Sequence, residues 1–247
     1  MNTKRGDARA LSRAGSLRRW ASRVAVALAV SALAVVVYVR RLPRAQHLPL
    51  VTSIDGPAVA HAVGVLVYLH GRGSGLGRAE RIVARLREAG LPPDFTIVSL
   101  EGPFSSGFGH AWGDTAEEQA MSRSRVRARL TDLLGNAGPP REKVVIVGFS
   151  QGAGVAIDTA IEDLRIGAVA SFSPCLSMLR GALPRRDDLR ILLAHGAHDT
   201  RCPVEESRSL ARVLEAAHKP AQYIEFDGGH VVPSEVVRAL AAFAMVP

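Results

Sequence analysis

One serine in the chain is fenced by glycines directly behind an apolar run: "VVIVGFSQGAGVA", residues 144–156, sets Ser150 between Gly148 and Gly152. A serine hydroxyl becomes a useful nucleophile only when a base takes its proton and a third group holds that base in one tautomer. Both partners follow downstream, in the order serine, acid, histidine. "LLAHGAHDTRCPVE" offers Asp199, and "IEFDGGHVVPSE" offers His230 behind Gly228 and Gly229. Asp227 is a rival acid; Asp199 is favoured because "HGAHD" follows the penultimate strand-like run. The chemistry within reach is acyl transfer, in which the hydroxyl attacks a carbonyl and water later frees the acyl group. Its tetrahedral intermediate needs two N–H donors. The backbone N–H groups of Arg72, in "YLHGRGSG" (68–75), and of Gln151 are the candidates. His70 reads as a histidine that shapes this loop rather than as a second base. Phe104, Phe108 and Trp112, in the loop 101–114, are candidates for the wall of a substrate pocket. His195, His198 and Asp199 also cluster, but two histidines three apart in a loop do not complete a ligand set, so neither a metal nor a cofactor is expected.

Residues so far apart can meet only if the fold delivers their loops to one edge. Strand-like runs at 63–69, 95–100, 143–149, 167–172, 190–195 and 221–226 alternate with helical patterns near 77–89, 115–134, 151–163, 204–218 and 234–245. Near-continuous apolar strands spaced by helices imply an α/β fold, with a mostly parallel sheet covered on both faces. In such sheets ligands gather beyond the carboxyl ends of the strands, and Ser150, Asp199 and His230 each follow a strand. The sharp strand-to-helix turn forces Ser150 into a strained backbone, and a Cβ at Gly148 or Gly152 would collide with a neighbouring element. A helix starting at Gln151 aims its N–H groups and positive dipole end at the same place. Only residues 173–189 separate the fourth and fifth strand-like runs, which leaves no room for a large lid domain. Leu210, Val213, Leu214 and Ala217 fall on one helical face. Arg123, Arg125, Arg127 and Arg129 turn about 200° per step on a helix and read as a solvated surface rather than a basic patch.

The formal charge of +8 on 247 residues is unevenly spread. Residues 1–44 hold ten Lys/Arg against the single acid Asp7, while the rest hold 21 basic and 22 acidic side chains. A near-neutral body excludes a basic groove for nucleic acid. Seven basic residues from Lys4 to Arg23 precede "VAVALAVSALAVVVYV" (24–39), and Arg40, Arg41 and Arg44 follow it. As a helix this run rises about 24 Å, close to the roughly 30 Å hydrocarbon core once flanking arginines snorkel. The expectation is a basic cytoplasmic tail (1–23), a transmembrane signal anchor (24–39), a linker (40–60) and a catalytic domain (61–247), with the catalytic domain outside the cytoplasm, on the periplasmic or extracellular side. The alternative is a signal peptide whose h-region is cut after "ALA" (32–34), leaving a secreted protein. Cys175 and Cys202 could bridge after export and would be ordinary thiols in the cytosol.

Five ordered motifs carry a resemblance: "LHGRG" at 69–73, "AWGD" at 111–114, "GFSQG" at 148–152, "HGAHD" at 195–199 and "GGH" at 228–230. Over about residues 63–245 the chain resembles the α/β-hydrolase superfamily, within it the phospholipase/carboxylesterase group that includes acyl-protein thioesterases. The resemblance implies an α/β-hydrolase fold, Ser150, Asp199 and His230 as a catalytic triad, and Arg72 and Gln151 at the oxyanion hole. It implies hydrolysis of carboxylic esters, with small-molecule or lipid acyl esters and thioesters as the substrate classes. Arg72 stands where the family usually carries an apolar residue, Ser74 where it carries an aspartate and Gly113 where it carries an aromatic. These departures shift the expected substrate away from long-chain thioesters. The rivals are a dienelactone-hydrolase-like or polymer-esterase activity on the same triad, and a binding protein on an inactive hydrolase scaffold.

Overall fold

In "VLVYL" (65–69) and "VVIV" (144–147) every residue is apolar, which suits strands buried on both faces. The computed structural model describes residues 50–175 and 187–246. Nine strands lie in them: β1 (Thr52–Asp55), β2 (Gly64–Leu69), β3 (Phe95–Leu100), β4 (Phe104–Ser106), β5 (Gly109–Ala111), β6 (Val144–Phe149), β7 (Ala168–Phe172), β8 (Arg190–Gly196) and β9 (Ala221–Phe226). Five α-helices accompany them: α1 (Leu76–Glu88), α2 (Ala116–Leu134), α3 (Gln151–Glu162), α4 (Val204–Ala216) and α5 (Ser234–Met245). Seven strands form one sheet in the order β1-β3-β2-β6-β7-β8-β9, while β4 and β5 form a separate hairpin. Every pairing in the large sheet is parallel except that of β1 with β3.

Successive residues of a strand point to opposite faces. Val65, Val67 and Leu69 of β2 and Ile146 of β6 join Val126, Leu130, Val155 and Leu214 in one core, under α2, α3 and α4. Leu66 and Tyr68 of β2 and Val145 and Val147 of β6 join Leu86, Val236, Leu240 and Phe243 in the other, under α1 and α5. This is the two-faced sheet that the sequence pattern implies.

Residues 52–55, expected in the linker, form β1 and pair with β3, so the sheet begins before residue 61. The β4–β5 hairpin has no counterpart in the expected elements. Helix α4 buries Val204, Ser207 and Leu214, whereas Val213 and Ala217 are exposed; its inward face is offset from the expected one. Arg123 and Arg125 are not part of a solvated surface: Arg125 is buried, and Arg123 sits 3.3 Å from the buried carboxylate of Asp158. Arg127 alone of the four makes an exposed pair, with Glu162 at 3.0 Å, and Arg129 donates to the Thr52 hydroxyl. The basic tail and the apolar run 24–39 lie outside the described residues; among the described residues no helix is long and apolar enough to cross a membrane.

Candidate active site

Ser150 is the turn between β6 and α3, with φ 55° and ψ −119°. A positive φ is costly for a residue with a Cβ and persists only where the surroundings impose it. Here they do. A Cβ on Gly148 would collide with the carbonyl of Gly152, and one on Gly152 would lie 2.5 Å from the carbonyl oxygens of Leu69 and His70. Only glycine at both positions lets α3 start against the ends of β6 and β2. The Ser150 N–H donates to Phe172 O at 2.8 Å, locking the turn to β7.

The loops after β8 and β9 meet at this turn. His230 Nε2 lies 2.9 Å from Ser150 Oγ, and His230 Nδ1 lies 2.7 Å from Asp199 Oδ2. A carboxylate only accepts, so Nδ1 carries the ring proton and Nε2 is left to accept the Ser150 O–H. Asp199 Oδ1 accepts the N–H groups of Arg201 at 2.8 Å and Cys202 at 3.0 Å. Burial pushes the Asp199 carboxyl up, but the Cys202 N–H, the His230 ring and the Arg201 N–H together hold it below its ordinary value. Backbone packs on backbone here as well: a Cβ on Gly196, at the end of β8, would run into the carbonyls of Gly228 and Gly229. The Phe149 ring flanks His230, centroids 4.8 Å apart. The rival acid points elsewhere, since Asp227 pairs with His198 at 3.1 Å, both exposed.

Beneath Asp199 lies a second histidine. His195 is fully buried, with Nε2 at 3.0 Å from Cys202 O and 3.3 Å from Asp199 Oδ2, and Nδ1 at 2.7 Å from Ser207 Oγ. The carbonyl only accepts, so Nε2 carries the proton and the Ser207 hydroxyl donates to Nδ1. Cys202 is also bridged to Cys175, with Cα atoms 4.9 Å apart. The sequence left that bridge open, and nothing in it linked Cys202 to Asp199.

The loop after β2 passes beside the serine: a Cβ on Gly71 would lie 3.3 Å from Ser150 Cβ. His70 is fully buried, with Nδ1–H donating to Gly71 O at 2.8 Å and Nε2 accepting the Gly102 N–H at 3.0 Å. Burial pushes its pKa down, so it stays neutral and shapes the loop. The backbone N–H groups of Arg72 and Gln151 make no hydrogen bond among the described residues. Their side chains do: Arg72 reaches Asp114 and Ser106, and Gln151 reaches Trp112 and Gly113.

The three aromatics divide. Trp112 has no exposed surface and donates its indole N–H to His70 O at 2.7 Å, so it is a core residue and not a pocket wall. Phe104 is buried in β4, and Phe108 is fully exposed in the hairpin turn. Among the described residues no group of three or more His, Cys, Asp or Glu is arranged to hold a metal ion.

Known proteins share this architecture. Esterase PE8 has 23% identity over 79% of this chain and 98% of its own, with a TM-score of 0.65. A carboxylesterase from Mesorhizobium loti has 16% identity, covering 84% of this chain and 100% of its own at a TM-score of 0.67. The Bacillus cereus carboxylesterase also has 16% identity and a TM-score of 0.67, over 80% and 94%. At these identities the solved structures speak for the shared fold alone. No curated protein sequence matches the chain. The phospholipase/carboxylesterase family model, however, matches residues 54–245. From β1 to the end of α5, the chain belongs to the phospholipase/carboxylesterase family of α/β hydrolases and is a carboxylic ester hydrolase.

Proposed function

We propose that this hydrolase is a serine esterase whose nucleophile is Ser150. His230 Nε2 takes the Ser150 proton as Oγ attacks the ester carbonyl, and the N–H groups of Arg72 and Gln151 receive the oxyanion. The resulting imidazolium returns its proton to the leaving alcohol, giving an acyl enzyme. Water, deprotonated by the same ring, frees the acid. Asp199 holds the ring in the accepting tautomer and offsets its transient charge. The carrying observation is the unbroken chain Asp199–His230–Ser150, at 2.7 and 2.9 Å, on a strained turn. The substrate class it supports is a small-molecule or lipid acyl ester.

A fluorophosphonate probe should label the wild type and not Ser150→Ala, and that variant should lose all but a trace of turnover on p-nitrophenyl esters. Full turnover in Ser150→Ala would end this mechanism; an unlabelled, inert wild type would favour a binding protein on the hydrolase scaffold. We further propose that residues 24–39 anchor the enzyme with its catalytic domain outside the cytoplasm. Two observations support this: basic residues bracket the apolar run, and a disulfide joins Cys175 to Cys202, as suits an oxidising compartment. Fractionation should recover the full chain in carbonate-washed membranes; recovery in the soluble cytosol would exclude the anchor.

A further inference from the structure

The N–H groups assigned above to the oxyanion come from distant elements, the loop after β2 and the first residue of α3. Their side chains nevertheless converge on one tripeptide. Gln151, 3% exposed, accepts the Trp112 N–H on Oε1 at 2.8 Å and donates Nε2–H to Gly113 O at 2.6 Å. Arg72 donates Nη2–H to Asp114 Oδ2 at 2.7 Å. Trp112 adds a third tie by donating its indole N–H to His70 O, two residues before Arg72.

The tripeptide is itself fixed to the first two turns of α2. The Ser122 hydroxyl donates to Trp112 O at 2.8 Å, and the Asp114 N–H donates to Glu118 Oε2 at 2.7 Å. Thr115 and Glu118 form a reciprocal cap on the helix. Gly113 has φ 103°, and a Cβ there would lie 2.5 Å from Glu118 Cβ, so the chain passes close against the helix where only glycine fits.

The geometry points to Trp112–Asp114 as a brace that sets the spacing of the two oxyanion donors, with Asp114 as a positioning residue acting through Arg72. The inference rests on the serine-esterase reading above and extends it to residues that touch neither the nucleophile nor the base. Asp114 and Arg72 are each about half exposed, outside both cores, so breaking their bond leaves the fold intact. Its loss frees the Arg72 peptide to drift from the position the oxyanion requires.

Removing one oxyanion donor outright costs about 100- to 1,000-fold in kcat, so a donor retained but loosened should cost far less, on the order of 5- to 10-fold. The test compares wild type, Asp114→Asn, Arg72→Met and the double variant on p-nitrophenyl butyrate, alongside inhibition by an alkyl trifluoromethyl ketone, whose serine adduct carries an oxyanion. In each single variant kcat should fall about 5- to 10-fold with KM within about twofold. Inhibitor affinity should fall by the factor lost from kcat, and the double variant should be no worse than Arg72→Met alone, since the Arg72–Asp114 ion pair is already lost in each single variant. Arg72→Lys, which keeps a cation able to reach Asp114, should recover most of the rate. Wild-type kcat and inhibitor affinity in Asp114→Asn, or a loss confined to KM, would overturn the brace. Should a variant unfold near the assay temperature, the bond is a structural one and the brace is equally overturned. If the wild type is inert toward the ester and unlabelled by a fluorophosphonate, the esterase mechanism falls and the brace with it; an active, labelled wild type with an unaffected Asp114→Asn sinks the brace alone.

Discussion

On one side of Ser150 the proposed acid and base are largely buried, the acid held by main-chain N–H groups and a disulfide-bridged loop; on the other, the proposed oxyanion donor Arg72 is held by a side chain that ends at the surface. Asp199 has no exposed side-chain surface and His230 only 9%. Asp199 is gripped by two main-chain N–H groups, one of them on a disulfide-bridged residue. The Arg72–Asp114 pair is 51% exposed at each end. The contrast follows from what each side must do. Proton transfer depends on one tautomer and one charge state, and the bond from His230 Nδ1 to Asp199 is what selects them. An oxyanion donor is a backbone N–H that needs no protonation control, only aim. The acid–base side should therefore be intolerant of chemical change and the donor side merely sensitive to loosening.

The sharpest way to break this contrast is Asp199→Asn. The amide can present its NH2 to His230 Nδ1, which moves the ring proton to Nε2 and removes the acceptor Ser150 needs. On the proposed mechanism kcat should drop about ten-thousand-fold with the fold intact, measured by steady-state hydrolysis and circular dichroism. A loss below about 100-fold would put Asp199 on the level of the donor side and erase the distinction. The same carboxylate carries a pH signature. Its pKa is held below the ordinary 3.8, so its contribution to stability is complete above that value. That contribution fades as the pH falls through the lower, folded-state value. Denaturant unfolding should show the gap between wild type and Asp199→Asn constant from pH 7 to pH 5 and closing only below about pH 3.8. A gap that closes near neutrality would contradict the burial and bonding described for Asp199.

Cutting the covalent support is the next largest effect. The bridge closes a loop spanning 27 positions, a constraint worth about 3 to 4 kcal/mol in the chain-entropy account. Cys175→Ser should lose about that much in guanidinium unfolding. It should also lose up to about tenfold in kcat, since Cys202 still presents its N–H to Asp199 but from a freer loop. Dithiothreitol should reproduce both effects in the wild type and neither in Cys175→Ser. Unchanged kcat in the stable fraction would mean that the His195 and Ser207 contacts alone fix the Asp199 loop.

What could be read in advance follows the same division. Strand ends were legible to within a residue or so because buried strands are continuous apolar runs bounded by glycine, proline or charge. The meeting of Ser150, Asp199 and His230 was legible too, since strand, turn and residue type place each at a strand end without knowledge of its neighbours. β1 was not: Thr52-Ser53-Ile54-Asp55 is a short, partly polar edge strand beside Gly56 and Pro57, and its pairing with β3 is a tertiary fact. Trp112 looked like a pocket aromatic until its indole found a carbonyl 42 residues away. The Gln151 and Arg72 ties likewise span 38 to 42 residues, and a polar side chain gives no sequence sign of which distant polar group it will meet. Arg125 shows the same blindness, a charged residue that periodicity sent to the surface and packing buried.

The smallest expected effect tests whether the two sides differ in their exposure to solvent ions. Raising ionic strength from about 0.1 M to 1 M shortens the screening length from about 10 Å to about 3 Å. An ion pair half open to water weakens under that change, whereas buried hydrogen bonds between Asp199, His230 and main-chain N–H groups do not. Salt acts on the substrate and on apolar surfaces as well, so the informative quantity is the ratio of wild-type kcat to that of Arg72→Met, which lacks the pair but shares everything else. That ratio should shrink toward one, by about a factor of two or less, as sodium chloride rises to 1 M, because salt weakens in the wild type what the substitution has already removed. The ratio of wild type to Cys175→Ser, whose defect lies on the shielded side, should stay flat over the same range. If instead both ratios respond alike, the donor side is as sheltered from water as the acid–base side, and the exposed pair contributes nothing to the aim of the Arg72 N–H.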